Sequence, residues 1–247
     1  LHLQARIKGK DMIITPKAPR QEPLALKIND EGFFDSFVPG GNRAAVDLLH
    51  EAVLRNKNEL FFVFGPQHVG KSHLLNALFR EIKDPSSNAF FVDLRLVKDI
   101  SPLLLSVEPY PIIILDNIDA IAGDSDWELA LFGLYNRWID KGEGTFIASA
   151  RTSADLIPFL RKDLNTRFEN GVSLPLDFLD EKSCCDALQI RAKKRGFIIP
   201  EKVAAFLVKH SNRDMDSLVK ILDRLDEASL SEQHELTVPF VKKVLSI

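Results

Sequence analysis

The sequence predicts an α/β fold, a five-stranded parallel sheet with helices on both faces, followed by a small all-helical unit. Three observations carry this expectation. Five short apolar, β-prone runs alternate with amphipathic helical patterns between residues 33 and 179. The strand signal stops after Leu179. No apolar run approaches the ~20 residues that span a bilayer. Short buried strands alternating with helices need right-handed crossovers and cover on both faces.

The strand runs are Leu60–Phe64, Ala89–Val92, Ile112–Leu115 and Thr145–Ala148, with a weaker one at Val172–Leu174. Helical patterns fall at about 43–55, 71–83, 125–140 and 153–164. Trp127 and Trp138, on the third of these, read as core residues. Asp180 caps a helix that runs to Arg195, and Gly196 supplies its stop. Pro200 opens the next helix, which ends near His210. A third covers about Arg213–Ser229, and Thr237 caps a last one with Pro239 in its first turn. Three segments follow: an arm over 1–30, an α/β core over 31–179 and a helical unit over 180–247. The arm has prolines at 16, 19 and 23 and sustains no helical period, which predicts an extended segment. The chain does not begin with methionine, and Met12 could be a natural start.

Composition narrows the class. Of 247 residues, 45% are hydrophobic and 27% charged, the mix of a soluble globular protein of one to two domains. A net charge of −3 provides no overall basic field for nucleic acid, so any such contact is local. The first residues, Leu1-His2-Leu3-Gln4-Ala5-Arg6, carry no secretory signal. Cys184 and Cys185 are adjacent and make no disulfide framework. The expected compartment is the reducing cytoplasm, with no membrane contact.

The strongest local signal is Gly65-Pro66-Gln67-His68-Val69-Gly70-Lys71-Ser72. It fits G-x-x-x-x-G-K-[ST] and sits between a strand run and an amphipathic helix, the context this phosphate loop requires. Its glycines let backbone N–H groups face phosphate oxygens at a helix N-terminus. Lys71 reaches the β- and γ-phosphates, and the Ser72 hydroxyl binds Mg²⁺. A second strand run ends Leu115-Asp116-Asn117, which places a metal-binding carboxylate, Asp116, beside that loop. Asn117 stands where many ATPases carry a water-activating acid. An amide can orient water but cannot take its proton at neutral pH, so nucleotide binding with little turnover is expected. Ser149 follows the fourth strand run, at the carboxyl edge where open α/β sheets bind ligands, and reads equally as a turn residue. Arg167, before the last strand, and Arg213, in the helical unit, read as solvated side chains or as site residues.

A phosphate-loop core, a helical lid and an Arg before the last strand resemble the AAA+ ATPases. Gly70-Lys71-Ser72-His73-Leu74-Leu75 resembles the GK[ST]HLL of the DnaA group, and Phe33–Asn42 resembles its TF-x-x-F-x-x-G-x-N lead-in. Asp116–Asp124, Trp127-Glu128, Phe132, Leu134–Arg137, Leu188–Phe197 and Leu236–Lys243 resemble the Hda family of DnaA-related regulators. The likeness covers about residues 21–247. The DnaA initiators carry Asp-Asp where this chain has Asp116-Asn117, a DNA-binding domain after the lid, and a helix pair between the second and third strands. Asp93–Tyr110 is too short to hold such a pair.

The resemblance implies roles. Gly65 to Ser72 with His73 would hold the phosphates of ADP or ATP, and Ser72 and Asp116 would hold Mg²⁺. The segment Phe34–Asn42 would lie along the adenine, with Phe34 and Asn42 as its binding residues. Arg213 would be the lid's sensor arginine, and Arg167 an arginine finger aimed at nucleotide in a neighbouring subunit. Ala150 departs from the Asp that relatives usually carry before Arg151, and Ser149 stays a candidate for the sensor-one contact. Gln21, Leu24 and Leu26 match the peptide Q-L-[SD]-L-P-L by which Hda-type proteins bind the DNA polymerase III sliding clamp, while Glu22, Pro23 and Ala25 depart from it. An extended peptide with such anchors suits a shallow apolar groove. The implied partners are DnaA and the clamp, with DNA reached through the clamp and a homodimer open as an assembly. The implied function is stimulated hydrolysis of DnaA-bound ATP, which restrains initiation of chromosomal replication. Two other readings differ in mechanism. A single-stranded-DNA-binding helicase-loader adaptor would turn over its own ATP and bind DNA in a salt-sensitive way. A self-sufficient ATPase motor is opposed by Asn117.

Overall fold

The computed structural model describes residues 34, 37–55, 58–211, 214–232 and 236–245. The arm expected over 1–30 lies outside them. Strands β1 (Leu60–Phe64), β2 (Ala89–Asp93), β3 (Ile112–Asp116), β4 (Thr145–Ala150) and β5 (Val172–Pro175) form one sheet in the order β2-β3-β4-β1-β5. Every pairing is parallel. The core helices are α1 (Arg43–Arg55), α2 (Lys71–Glu81), the short α3 (Pro85–Asn88) and α4 (Leu94–Val97), α5 (Ser125–Lys141) and α6 (Lys162–Glu169). After β5 come α7 (Glu181–Lys194), α8 (Glu201–Lys209), α9 (Met215–Glu232) and α10 (Val238–Leu245). Among the described residues no helix is long and apolar enough to cross a membrane.

Alternation along each strand sends neighbours to opposite faces. Phe61, Val63, Ile112, Ile114 and Ile147 pack under Leu49, Leu74 and Leu78 of α1 and α2. Phe62, Ile113, Leu115 and Phe146 pack under Leu131, Leu134 and Trp138 of α5, with Leu164 and Phe168 of α6. Trp127 and Trp138 are buried there, as the sequence predicts. A separate apolar cluster joins Leu188, Leu207, Leu222, Leu225 and Phe240 of α7 to α10.

The structure revises the expected elements at three places. β4 continues to Ala150, because it stays in register with β1 up to the pair Phe64 and Ala150. Ser149 is therefore a fully buried strand residue and not a turn residue. α2 stops at Glu81, where Ile82 turns extended. The helical pattern over 153–164 forms a single 3₁₀ turn, Ala154–Leu156, and the helix starts later, at Lys162. Pro158 restricts the residue before it and offers no N–H to a helix there. The N–H groups of Leu160 and Arg161 donate instead to the Glu128 carboxylate, at 3.0 and 2.8 Å. Arg167 consequently lies in the last turn of α6 and not in a loop.

Glu128 is fully buried and also accepts the Gly123 N–H at 2.8 Å, so one carboxylate on α5 holds two loops. Glu128→Ala leaves three backbone donors without their acceptor. We expect a loss of about 3 kcal/mol or more and a melting temperature lower by roughly 6–12 °C. Thermal unfolding followed by circular dichroism measures it, and Glu128→Gln, which keeps one acceptor oxygen, should lose less.

Candidate functional site

β1 delivers the chain to Gly65, and the loop up to Gly70 returns it to α2. A Cβ on Gly65 would lie 2.2 Å from the Leu176 carbonyl oxygen, so the end of β5 presses on the loop and leaves room for glycine only. Gly70 precedes α2 with φ +105°, a conformation that glycine adopts freely. No side chain caps α2 at Gly70, so its first N–H groups remain available to an anion. His68 takes a left-handed φ of +64° on the loop's exposed tip.

Lys71 opens α2 and is buried. Its Nζ donates to the carbonyls of Gly65 at 2.7 Å and Pro66 at 2.8 Å. Burial pulls its ammonium below the usual lysine range, against the attraction of Asp116 and Asp119. Asp116, the last residue of β3, is fully buried. The Ser149 hydroxyl donates to its Oδ1, while Oδ2 makes no hydrogen bond. Burial pushes this carboxyl above the usual aspartate range, opposed by the hydroxyls of Ser149 and Ser72 and by the Lys71 charge. An orphaned, buried carboxylate oxygen facing a serine hydroxyl at a phosphate loop is a donor set that fits a hard divalent cation.

Asn117 continues from Asp116 in the left-handed region, at φ +58°. Its N–H donates to Ser149 Oγ at 3.0 Å, and its side-chain amide donates to Asp93 Oδ1 at 2.9 Å. Asp93 ends β2 in register with Asp116 and also accepts the Arg95 N–H at 3.0 Å. The Asn117 amide is thus committed to a neighbouring strand end.

These elements border a cleft of about 530 Å³, within the size range of small-ligand sites. Gln67, His68, Gly70, Lys71, Ser72 and His73 line it, together with Asn117. So do Arg95, Lys98, Arg151 and Arg191, which with Lys71 outnumber the lining carboxylates of Asp119 and Asp216. Arg151 is held there by an ion pair with Asp119. Such a surplus of cations suits a polyphosphate. The cleft adjoins a smaller, more apolar slot of about 40 Å³ between Phe37, Val38, Val69, Leu176 and Met215, an apolar wall against which the edge of a flat heterocycle would rest.

The expected residues are not all brought together. Asn42 borders the slot, but its side-chain amide and oxygen both engage the Asp177 backbone at 2.9 Å, which ties the 3₁₀ turn before α1 to the segment after β5. Phe34 was expected along the base. It packs instead against His50, at 4.8 Å between ring centroids, and against Phe37, which occupies the slot. Arg167 does not border the cleft. Its guanidinium lies 4.0 Å from the Phe132 ring centroid and 4.9 Å from that of Tyr135, and donates to Asn136 Oδ1. Arg213 and the peptide residues Gln21, Leu24 and Leu26 lie outside the described residues. Sequence reasoning passed over Asp93, although it ends an apolar run just as Asp116 does. It also passed over Arg95, Lys98, Arg151 and Arg191 as site residues, which come from three separate segments: α4 and its C-cap, the residue just past the end of β4, and α7.

The sheet order, the phosphate loop and the helical unit after β5 define an AAA+ nucleoside-triphosphatase module with a lid. Residues 28–175 match the family model of the bacterial DnaA ATPase domain, and residues 180–245 match that of the Hda lid domain. The chain belongs to the DnaA ATPase-domain family, as an Hda-like, DnaA-related AAA+ protein. Domain III of the Thermotoga maritima initiator DnaA is similar at 17% identity, covering 88% of this chain and 97% of that one, with a TM-score of 0.75. AMPPCP-bound DnaA from Aquifex aeolicus is similar at 18% identity, over 84% of this chain and 69% of that one, with a TM-score of 0.64. The Thermotoga maritima RuvB branch-migration motor is similar at 19% identity, over 87% and 71%, with a TM-score of 0.67. At these identities the likeness establishes the fold.

Asp116→Asn tests the cost of the buried carboxylate. The amide keeps an oxygen for the Ser149 hydroxyl and removes a desolvated charge. We expect a ligand-free melting temperature unchanged or raised by up to about 4 °C, and loss of any Mg²⁺ dependence of nucleotide binding. Melting curves with and without Mg²⁺ and ADP measure both.

Proposed function

We propose that this protein is a nucleotide-holding regulator that stimulates hydrolysis of ATP bound to DnaA. The observation that carries the reading is Arg167. It stands half-buried on α6, fixed by two aromatic rings and an amide, and away from the chain's own cleft. A guanidinium held in this way is permanently charged, forked and already oriented, and can neutralise charge that builds on a transferring phosphoryl group. With no role in its own cleft, it serves a nucleotide carried by a partner.

The chain's own cleft reads as a holder. Gly65 to Ser72 and His73 would cradle the phosphates of ADP or ATP, with Ser72 and Asp116 on Mg²⁺. Bound Mg²⁺ would supply charge neutralisation between phosphate oxygens. The Asn117 amide accepts no proton and is turned to Asp93. ADP would thus persist and fix the lid against the core, setting the surface offered to DnaA. Residues 21–26 would tether the protein to the sliding clamp on DNA, in the cytoplasm, through Gln21, Leu24 and Leu26.

Arg167→Ala should leave the protein folded, with a melting temperature lower by only a few degrees for its lost ring contacts, and keep ADP binding, yet slow DnaA-bound ATP hydrolysis by about 10³- to 10⁵-fold in the stimulated reaction. Arg167→Lys should rescue little, because an ammonium keeps the charge without the fork. The measurement is single-turnover hydrolysis by ATP-loaded DnaA with clamp-loaded DNA. Stimulation by Arg167→Ala equal to that of wild type would contradict the assignment.

The tether is tested separately. Gln21→Ala combined with Leu24→Ala should abolish retention on clamp-loaded DNA and leave the melting temperature unchanged. Clamp binding by the double variant at wild-type affinity would place the contact elsewhere.

A further inference from the structure

Arg191 lies on the first lid helix, α7, and is only 5% exposed. Its guanidinium donates across the junction between lid and core to His73 Nδ1, at 2.9 Å. A guanidinium has no acceptor, so Nδ1 must be the acceptor and the neutral imidazole carries its proton on Nε2. His73 in turn is fixed by Phe37, whose ring centroid is 5.3 Å away. His73 directly follows Ser72, in the first turn of the helix whose N–H groups open on the cleft.

Arg191 and His73 border both the cationic cleft and the apolar slot. Where a phosphate loop cradles the polyphosphate and a base lies against the slot, the junction of the two receives the sugar and the α-phosphate. Burying a guanidinium costs several kcal/mol in lost hydration, and an anion brought against it offsets that cost. The fork geometry of arginine can hold the His73 ring and a phosphate oxygen together.

We propose that Arg191 is a nucleotide-contact residue, a lid cation that closes on the α-phosphate of a bound adenine nucleotide and is positioned for it by His73. The proposal rests on the reading of the cleft as a nucleotide site. It assigns the lid a phosphate contact on α7, independent of Arg213, and it ties the lid's first helix to the presence of ligand.

The test is calorimetric titration of wild type, Arg191→Ala and Arg191→Lys with ADP, AMP and adenosine. Arg191→Ala should weaken ADP and AMP by a similar factor, about 10- to 100-fold, and change adenosine by less than twofold. Arg191→Lys keeps charge and stem but not the fork, and should weaken ADP and AMP by a smaller factor, again sparing adenosine. Ligand-free melting curves check that each variant is folded, and if Arg191→Ala is not, Arg191→Lys carries the test alone. Unchanged ADP affinity in the folded variants would overturn the proposal. A loss for adenosine as large as for ADP would also overturn it, since Arg191 would then only be packing the lid. Wild-type protein that binds none of the three ligands would overturn the nucleotide reading itself, and the proposal with it.

Discussion

The ends of β2, β3 and β4 are joined by a chain of hydrogen bonds that runs from Asp93 through Asn117 and Ser149 to Asp116. Strand register makes this chain possible. Asp93 pairs with Asp116, and the next link crosses to β4 because Leu115 pairs with Ala148. The network keeps a desolvated carboxylate on the sheet's carboxyl edge, at the end of β3, and fixes it facing Ser72. It also commits the Asn117 amide, which could otherwise address a water beside the phosphates. In the proposed function, holding a nucleotide and sparing it from turnover would have one physical origin.

The rest of the cleft is arranged around that edge. Gly65 is pinned by the Leu176 carbonyl, which fixes where the phosphate loop begins. Asn42 pairs with the Asp177 backbone just before the lid starts, which ties the lead-in to the lid's root. Arg191 and His73 make a further polar contact across the same junction. A ligand placed between these groups would therefore affect the lid's orientation directly. Arg167 belongs to a different surface, built by α5 and α6. Glu128 fixes that surface by holding the segment ahead of α6. Under the proposed function, the chain would separate the group that acts on a partner's nucleotide from the pocket that holds its own.

The sheet was legible because buried parallel strands are apolar runs, and four of the five carry large β-branched or aromatic residues. β4 was read short because Ala-Ser-Ala adds little apolar signal, although the pairing with β1 continues through it. The helix expected over 153–164 failed on Pro158 and on Glu128, whose tertiary bonds outweigh a local amphipathic pattern. The phosphate loop was legible because its glycines answer a steric demand visible in the spacing alone. The choice between Phe34 and Phe37 at the slot was not legible, since spacing cannot say which ring of a lead-in faces inwards. The cations at 95, 98, 151 and 191 could not be grouped either, because only the folded sheet and lid bring them to one cleft.

The central claim is that this chain holds its own nucleotide while promoting turnover of another protein's. The most direct measurement loads DnaA with radiolabelled ATP and this protein with unlabelled ADP, then follows the label on clamp-loaded DNA. The account predicts that the DnaA-bound label becomes ADP at the stimulated rate while this protein's ADP is neither exchanged nor consumed. Stimulation that appears only when this protein carries ATP, and that consumes that ATP, would contradict it.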